Sequence, residues 1–165
     1  MGNSLSQKPY SERSRIEQID SNWKKTTGLF RRSEYSTVAI RVATTVELAA
    51  NLVIEKEFIE NRNLPIDFVE SLMKWANGFM GKLDRLIIPI FKSSEHEEQL
   101  KEVRKRSKDI NDERNNVVHR GQFKKRQTAL KLIQESEYIV NTLIKIAGEK
   151  HMLKTPTFED EEDDT

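Results

Sequence analysis

The run from Ala39 to Ile54 is apolar on nearly every side of a helix, and a helix with no polar face must be surrounded by its neighbours. Periodicity extends this segment from Ser33, a residue suited to an N-cap, to about Asn61. Tyr35, Val38, Val42, Val46, Ala49, Ala50 and Val53 fall on one broad stripe of it. A chain built around such a rod is a helical bundle with this segment at its centre. Glu47 and Asn51 interrupt the rod four residues apart, and so on one face. A carboxylate in these surroundings needs a partner. Two arrangements provide one: a structural ion pair with Arg41 or another arginine, or a supporting contact in which Glu47 holds Arg114 in position.

The flanking segments supply the walls. From Ser11 to Arg32, Ile16, Ile19, Trp23, Leu29 and Phe30 recur at three- to four-residue steps and predict an amphipathic helix ending near Gly28, with Trp23 as a core anchor. Asn61 to Leu64 is a break, and Pro65 suits a helix start. Phe68, Leu72, Trp75 and Phe79 then run at helical spacing to Gly78 or Gly81, and Leu83 to Phe91 follows with a bend at Pro89. Ser94 and Glu97 form a capping-box pattern that opens a helix running to Gly121. A last helix spans Phe123 to about Ile146, with Leu130, Ile133, Tyr138, Ile139, Leu143 and Ile146 facing inward. The expectation is an all-α, up-and-down bundle of four to five helices. It forms one domain over residues 11–150, between a flexible N-terminus (1–10) and a disordered acidic tail (151–165).

Composition narrows the chemistry. Apolar residues make up 36% and charged residues 33% of the 165, as suits a bundle with charged outer faces, and no segment reads as an uninterrupted membrane span. The chain has no cysteine, which excludes disulfides, thiol catalysis and thiolate metal sites. With no secretory signal pattern, a cytoplasmic location is expected. Met1-Gly2 followed by Ser6 fits the minimal acylation pattern, for which coincidence is the simpler reading. His96, His119 and His151 are too scattered for a metal centre, and no glycine-rich phosphate loop is present, so neither metal nor cofactor is expected.

The net charge of +1 conceals an asymmetry. Glu159 to Asp164 is a run of six acids, and Lys101 to Arg126 holds ten Lys or Arg against four Asp or Glu. Such a stretch is either a solvated helix face or a surface that attracts a polyanion. The two segments are opposite in charge, so the acid run would fold back over the basic one and compete with a bound polyanion, unless it serves only to solubilise.

Within the basic stretch, Asp112 to Gly121 reads D-E-R-N-N-V-V-H-R-G and is the densest chemistry in the chain. Arg114 is permanently charged and forks towards phosphate. His119 is the type of side chain that exchanges protons near neutral pH. On a regular helix the two lie about 140° apart and about 7.5 Å apart along the axis. They cannot grip one phosphate from a single face unless the helix distorts or ends near His119, or a second copy supplies the complementary group. Asn115 and His119, four apart, share a face.

Arg114, the polar Asn115 directly after it, and His119 after four intervening residues resemble the signature of the HEPN (higher eukaryotes and prokaryotes nucleotide-binding) family. The resemblance implies a HEPN-like bundle, a homodimer with two signatures facing a shared cleft, and metal-independent endoribonuclease activity. Products would be a 2′,3′-cyclic phosphate and a 5′-OH. His119 would act as general acid/base, Arg114 as phosphate clamp and Asn115 as positioner. Arg104, Lys105, Arg106, Arg120, Lys124 and Lys125 would follow the RNA backbone. Members of the family often act in toxin–antitoxin or defence systems, some with a nucleotidyltransferase antitoxin as partner. Others are non-catalytic modules that bind nucleotide, RNA or protein, in which case Arg114 pairs with Glu113 or Glu47 and His119 merely caps a helix. The sequence selects neither an RNA substrate nor a partner.

Overall fold

The computed structural model describes residues 8–159. The acylation pattern at Gly2 and the acids beyond Glu159 lie outside the described residues. After a short 3-10 turn at Tyr10–Glu12, the described residues form six helices: α1 (Arg15–Arg31), α2 (Tyr35–Ile54, continued as a π-helical stretch Glu55–Asn61), α3 (Ile66–Ala76), α4 (Gly78–Lys82, continuing through π-helical Leu83–Ile87 to Ile88–Ile90), α5 (Glu97–Arg120) and α6 (Arg126–Ile146). No strand occurs among the described residues.

Helix α2 is the central rod, touching α1, α4, α5 and α6. Val38, Ala39, Val42, Val46, Ala49, Ala50 and Ile54 are fully buried on it. Each Val or Ile removed from water this way contributes about 1.5–3 kcal/mol. By length and composition Tyr35–Asn61 is apolar enough to cross a membrane, contrary to the expectation that no segment is. However, 67% of its most apolar window is buried inside the bundle, where the other helices use that surface.

Several boundaries shift for local reasons. Helix α1 starts at a full capping box, in which the Ser14 hydroxyl accepts from Glu17 N and the Glu17 carboxylate accepts from Ser14 N. Gly28 lies inside it. Ser33 does not cap α2; it takes a left-handed turn (φ 58) between α1 and α2. At α5 the predicted box slips by one residue. The Glu97 carboxylate accepts from Ser93 N at 2.9 Å, Ser94 Oγ accepts from His96 N at 3.1 Å, and the helix begins at Glu97.

The third arm is two helices, which brings the count to six instead of four or five. The break falls at Asn77 (φ 52), directly before Gly78, the earlier of the two glycines expected to end the first piece, and Pro89 sits in the last turn of α4. An ideal Cβ on Gly81 would stand 1.6 Å from the Ala76 carbonyl oxygen, so only glycine lets α4 turn this closely past the end of α3. Arg85 closes the corner, donating to Trp75 O at 3.2 Å and stacking on the Trp75 ring. The stripe read through Phe68 and Trp75 faces outward; Val69 and Ala76 are the buried residues of α3. Tyr138, expected inside, is 36% exposed, with Arg106 stacked 4.0 Å from its ring centroid.

Residues 151–159 were expected to be disordered, yet they lie as a strap along α1 and α6. Leu153 is buried, and its backbone pairs with the Asn141 side chain in both directions (2.9 and 2.7 Å). Trp23 Nε1 donates to Lys154 O at 3.0 Å, and Phe158 packs 4.2 Å from Phe30, centroid to centroid. The polar composition of this segment hides the two apolar anchors, Leu153 and Phe158, that hold it.

Candidate functional site

Helix α5 carries the Arg114–His119 segment without distortion and stops at Gly121, whose left-handed backbone (φ 61, ψ 27) lets its N–H return to Val117 O at 3.2 Å. Its sparse apolar side, Leu100, Val103 and Ile110, is buried. From Arg114 onward the side chains are at most half-buried, and Val118, His119 and Arg120 are exposed. The chain leaving Gly121 is tied to the start of α2, where Ser36 Oγ accepts from Lys124 N at 2.9 Å.

Because the helix is regular, Arg114 and His119 open on different grooves. Arg114 lines a cavity of about 300 Å³ with Ile40, Thr44, Glu47, Asn77, Met80 and Asn111. His119 lines a separate groove of about 450 Å³ with Asp112, Asn115, Asn116 and Arg120. Asn115 joins the two. Its Oδ1 accepts from Arg114 Nη1 at 3.1 Å, while its side chain forms part of the His119 groove. Neither of these two pockets holds both the guanidinium and the imidazole of one copy.

Glu47 shares the Arg114 cavity, but its ion pair is with Lys82 at 2.7 Å, a lysine almost fully buried. The partner is thus neither Arg41 nor Arg114. Arg41 Nη1 instead donates to Asn22 Oδ1 at 3.2 Å. Lys82 comes from the far side of the α3–α4 corner, 35 residues away, and sequence offered no signal for that approach.

The basic stretch is partly neutralised from within. Arg104 is held by Asp84 at 2.6 Å, and Arg106 by Glu102 at 2.8 Å and Glu135 at 3.4 Å. The hydrogen bonds to Asp84 and Glu102 are the leading causes that raise these two guanidinium pKa values. Lys124 forms an ion pair with Glu113, which also removes Glu113 as a partner for Arg114. Lys105, Arg120 and Lys125 are exposed and have no ion pair among the described residues. Of the six residues read as tracking a phosphate backbone, these three remain available for it. The positive surface is therefore concentrated at the α5–α6 corner beside His119, with Lys105 about 22 Å back along the helix.

Compared with known proteins, the chain matches no family model, no curated protein and no solved structure.

Proposed function

We propose that this chain is a HEPN-like, metal-independent endoribonuclease that works as a homodimer. The observation that carries the reading is the open groove at the end of α5. There an exposed imidazole, an exposed arginine and two asparagines lie together, with a second guanidinium tethered to one of the asparagines. Cleavage needs a base for the ribose 2′-OH proton, a cation for the charge that builds on phosphorus, and an acid for the leaving O5′. His119 takes and returns the proton. Arg114 stabilises the phosphorane. Asn115 positions the Arg114 of its own copy and lines the groove of its own copy's His119. The O2′–P bond forms as P–O5′ breaks, leaving a 2′,3′-cyclic phosphate and a 5′-OH.

Since Arg114 and His119 of one copy face apart, a two-fold arrangement has to bring the Arg114 of one copy to the His119 of the other. The surface around Arg114 suits such contact. Ile40, in the lining of the Arg114 cavity, is 38% exposed, Val118, one helical turn from Arg114, is 45% exposed, and Phe123, just beyond the end of α5, is 94% exposed; a second copy would cover such apolar surface.

Complementation tests both halves of this reading. Arg114→Ala and His119→Ala should each abolish cleavage of single-stranded RNA in EDTA. Mixed and allowed to exchange subunits, they should recover roughly a quarter of wild-type activity, because half of the dimers then carry one intact composite site. Activity in neither the wild type nor the mixture, with the fold intact, refutes the enzyme. It would leave the non-catalytic binding module, favoured by the internal pairing of Arg104, Arg106 and Lys124.

A further inference from the structure

At the end of the bundle where α1 stops and α6 begins, the strap closes a cavity of about 410 Å³ lined by Phe30, Arg31, Tyr35, Arg126, Thr157, Phe158 and Glu159. This volume is within the range of small-molecule pockets. Its floor is aromatic. Phe30 is buried and lies 4.2 Å from Phe158 and 5.4 Å from Tyr35, centroid to centroid, while Tyr35 and Phe158 remain half-exposed. Its polar edge is cationic. The Arg126 guanidinium stands 5.3 Å over the Phe30 ring, and that of Arg31 stands 5.7 Å over the Phe158 ring.

What these arginines lack is more telling than what they touch. Five other arginines, Arg15, Arg32, Arg62, Arg104 and Arg106, each have a carboxylate within 4 Å. Among the described residues Arg31 and Arg126 have none, and the one side-chain hydrogen bond of either runs from Arg126 Nη2 to the Glu159 carbonyl at 3.0 Å. A guanidinium stacked on a ring keeps its N–H edge free and pointing outward. Arg126 uses one N–H on the Glu159 carbonyl, and the remaining N–H groups of the two guanidinium groups, beside two half-buried rings, match a ligand that is flat and aromatic at one end and anionic at the other. The Glu159 carboxylate is the one opposing charge in the lining.

We propose that this cavity binds a nucleoside monophosphate unit, with the base against Tyr35 and Phe158 and the phosphate between Arg31 and Arg126. The site is built by α1, α2, α6 and the strap, without Arg114 or His119, and stands or falls independently of the nuclease. The unit is either a free nucleotide or one unpaired residue of a strand. The chain's own acids at 160–164 follow directly on Glu159 in the sequence and would compete for the same arginines.

Calorimetric titration of the full chain with adenosine 5′-monophosphate, adenosine, inorganic phosphate and a short single-stranded oligodeoxyadenylate tests this. The DNA strand lacks the 2′-OH and so is not consumed. The same titrations on a variant with the acids at 160–164 replaced by their amides remove the competitor. One saturable site for the monophosphate is expected, with adenosine and phosphate each at least about tenfold weaker. Arg31→Gln and Arg126→Gln should each weaken the monophosphate about tenfold. Phe158→Leu, which keeps an apolar anchor for the strap, should weaken the monophosphate while leaving phosphate unchanged. An oligonucleotide that binds tighter than the monophosphate, and loses that advantage in Arg126→Gln, assigns the site to a strand; the reverse order assigns it to a free nucleotide. If the monophosphate binds no better than phosphate in both proteins, or binds equally well after all three substitutions, the site is overturned.

Discussion

Asn115 Oδ1 holds Arg114 Nη1 at 3.1 Å, and from the same position on α5 Asn115 lines the groove of His119. One amide thus connects two groups that helix geometry sets apart. Asn115→Ala should lower single-turnover cleavage by about 10²-fold, the scale of losing one positioned donor or acceptor at a developing charge. The helix itself should not suffer, since alanine is the better helix former. Asn115→Asp should also be slow, because a carboxylate would neutralise the guanidinium that phosphate needs. A cleavage rate unchanged in both variants removes Asn115 from the site.

Phe123 is 94% exposed in the connection between α5 and α6, so nothing within one copy explains a phenylalanine there. Phe123→Asp should change the unfolding free energy of the single chain by no more than about 0.5 kcal/mol. The same change should weaken self-association at least tenfold in sedimentation equilibrium and lower cleavage in step, with rate restored at high protein concentration. A wild-type chain that sediments as a monomer at all concentrations removes the composite site, because Arg114 and His119 of one copy do not meet.

Glu47 was legible as a polar residue in an apolar rod, and its need for a partner followed from that. Its partner was not, because Lys82 arrives through a corner set by the left-handed Asn77 and by the close pass of Gly81 against Ala76 O. Glu47→Gln leaves Lys82, 6% exposed, without its counter-charge. A loss of about 1–3 kcal/mol is expected in urea unfolding, below the cost of a fully buried pair because Glu47 is itself 39% exposed. If stability is unchanged but cleavage falls, Glu47 acts on Arg114 instead.

The same contrast runs through the rest of the chain. Helices α1, α2, α5 and α6 follow from apolar spacing and breakers such as Gly121, since these are local properties. The outward turn of Phe68 and Trp75, the Lys82 pairing and the strap depend on contacts across long stretches of chain, which periodicity does not encode. For the candidate site, residue types and the 140° separation were readable from helix arithmetic. The division into two grooves linked by Asn115 required the surfaces of α2 and α4. Charge counting likewise located the basic stretch but not its internal pairing, because Asp84 and Glu135 lie on other helices.

Leu153 anchors the strap, and its cost of removal measures how firmly the strap is held. Leu153→Ala should destabilise the chain by about 2–5 kcal/mol, the range for a buried leucine that leaves a cavity. It should also raise the fluorescence sensitivity of Trp23 to quenchers, since Trp23 Nε1 is bonded to Lys154 O next in sequence. A loss under about 0.5 kcal/mol would mean that residues 151–159 contribute no packing.

Lys56, on the π-helical end of α2, meets Glu60 and Glu149, each at 3.1 Å, and so ties that end to the chain leaving α6. The hydrogen bond to Glu149, then that to Glu60, raises the Lys56 pKa above its ordinary value. A lysine whose pKa is raised on folding adds stability that is complete below its unfolded pKa and is lost as pH climbs through the folded one. The raised Lys56 pKa sets the sign. Lys56→Gln should therefore be less stable than wild type at about pH 8, by no more than about 1 kcal/mol for a pair this open to solvent. The gap should close as pH rises through the raised folded pKa of Lys56, where the wild-type lysine loses its proton. Both proteins carry the same remaining titratable groups, so the difference between their urea midpoints isolates this one. A gap that stays constant across the alkaline range would assign the loss to the packing of the lysine stem rather than to its charge.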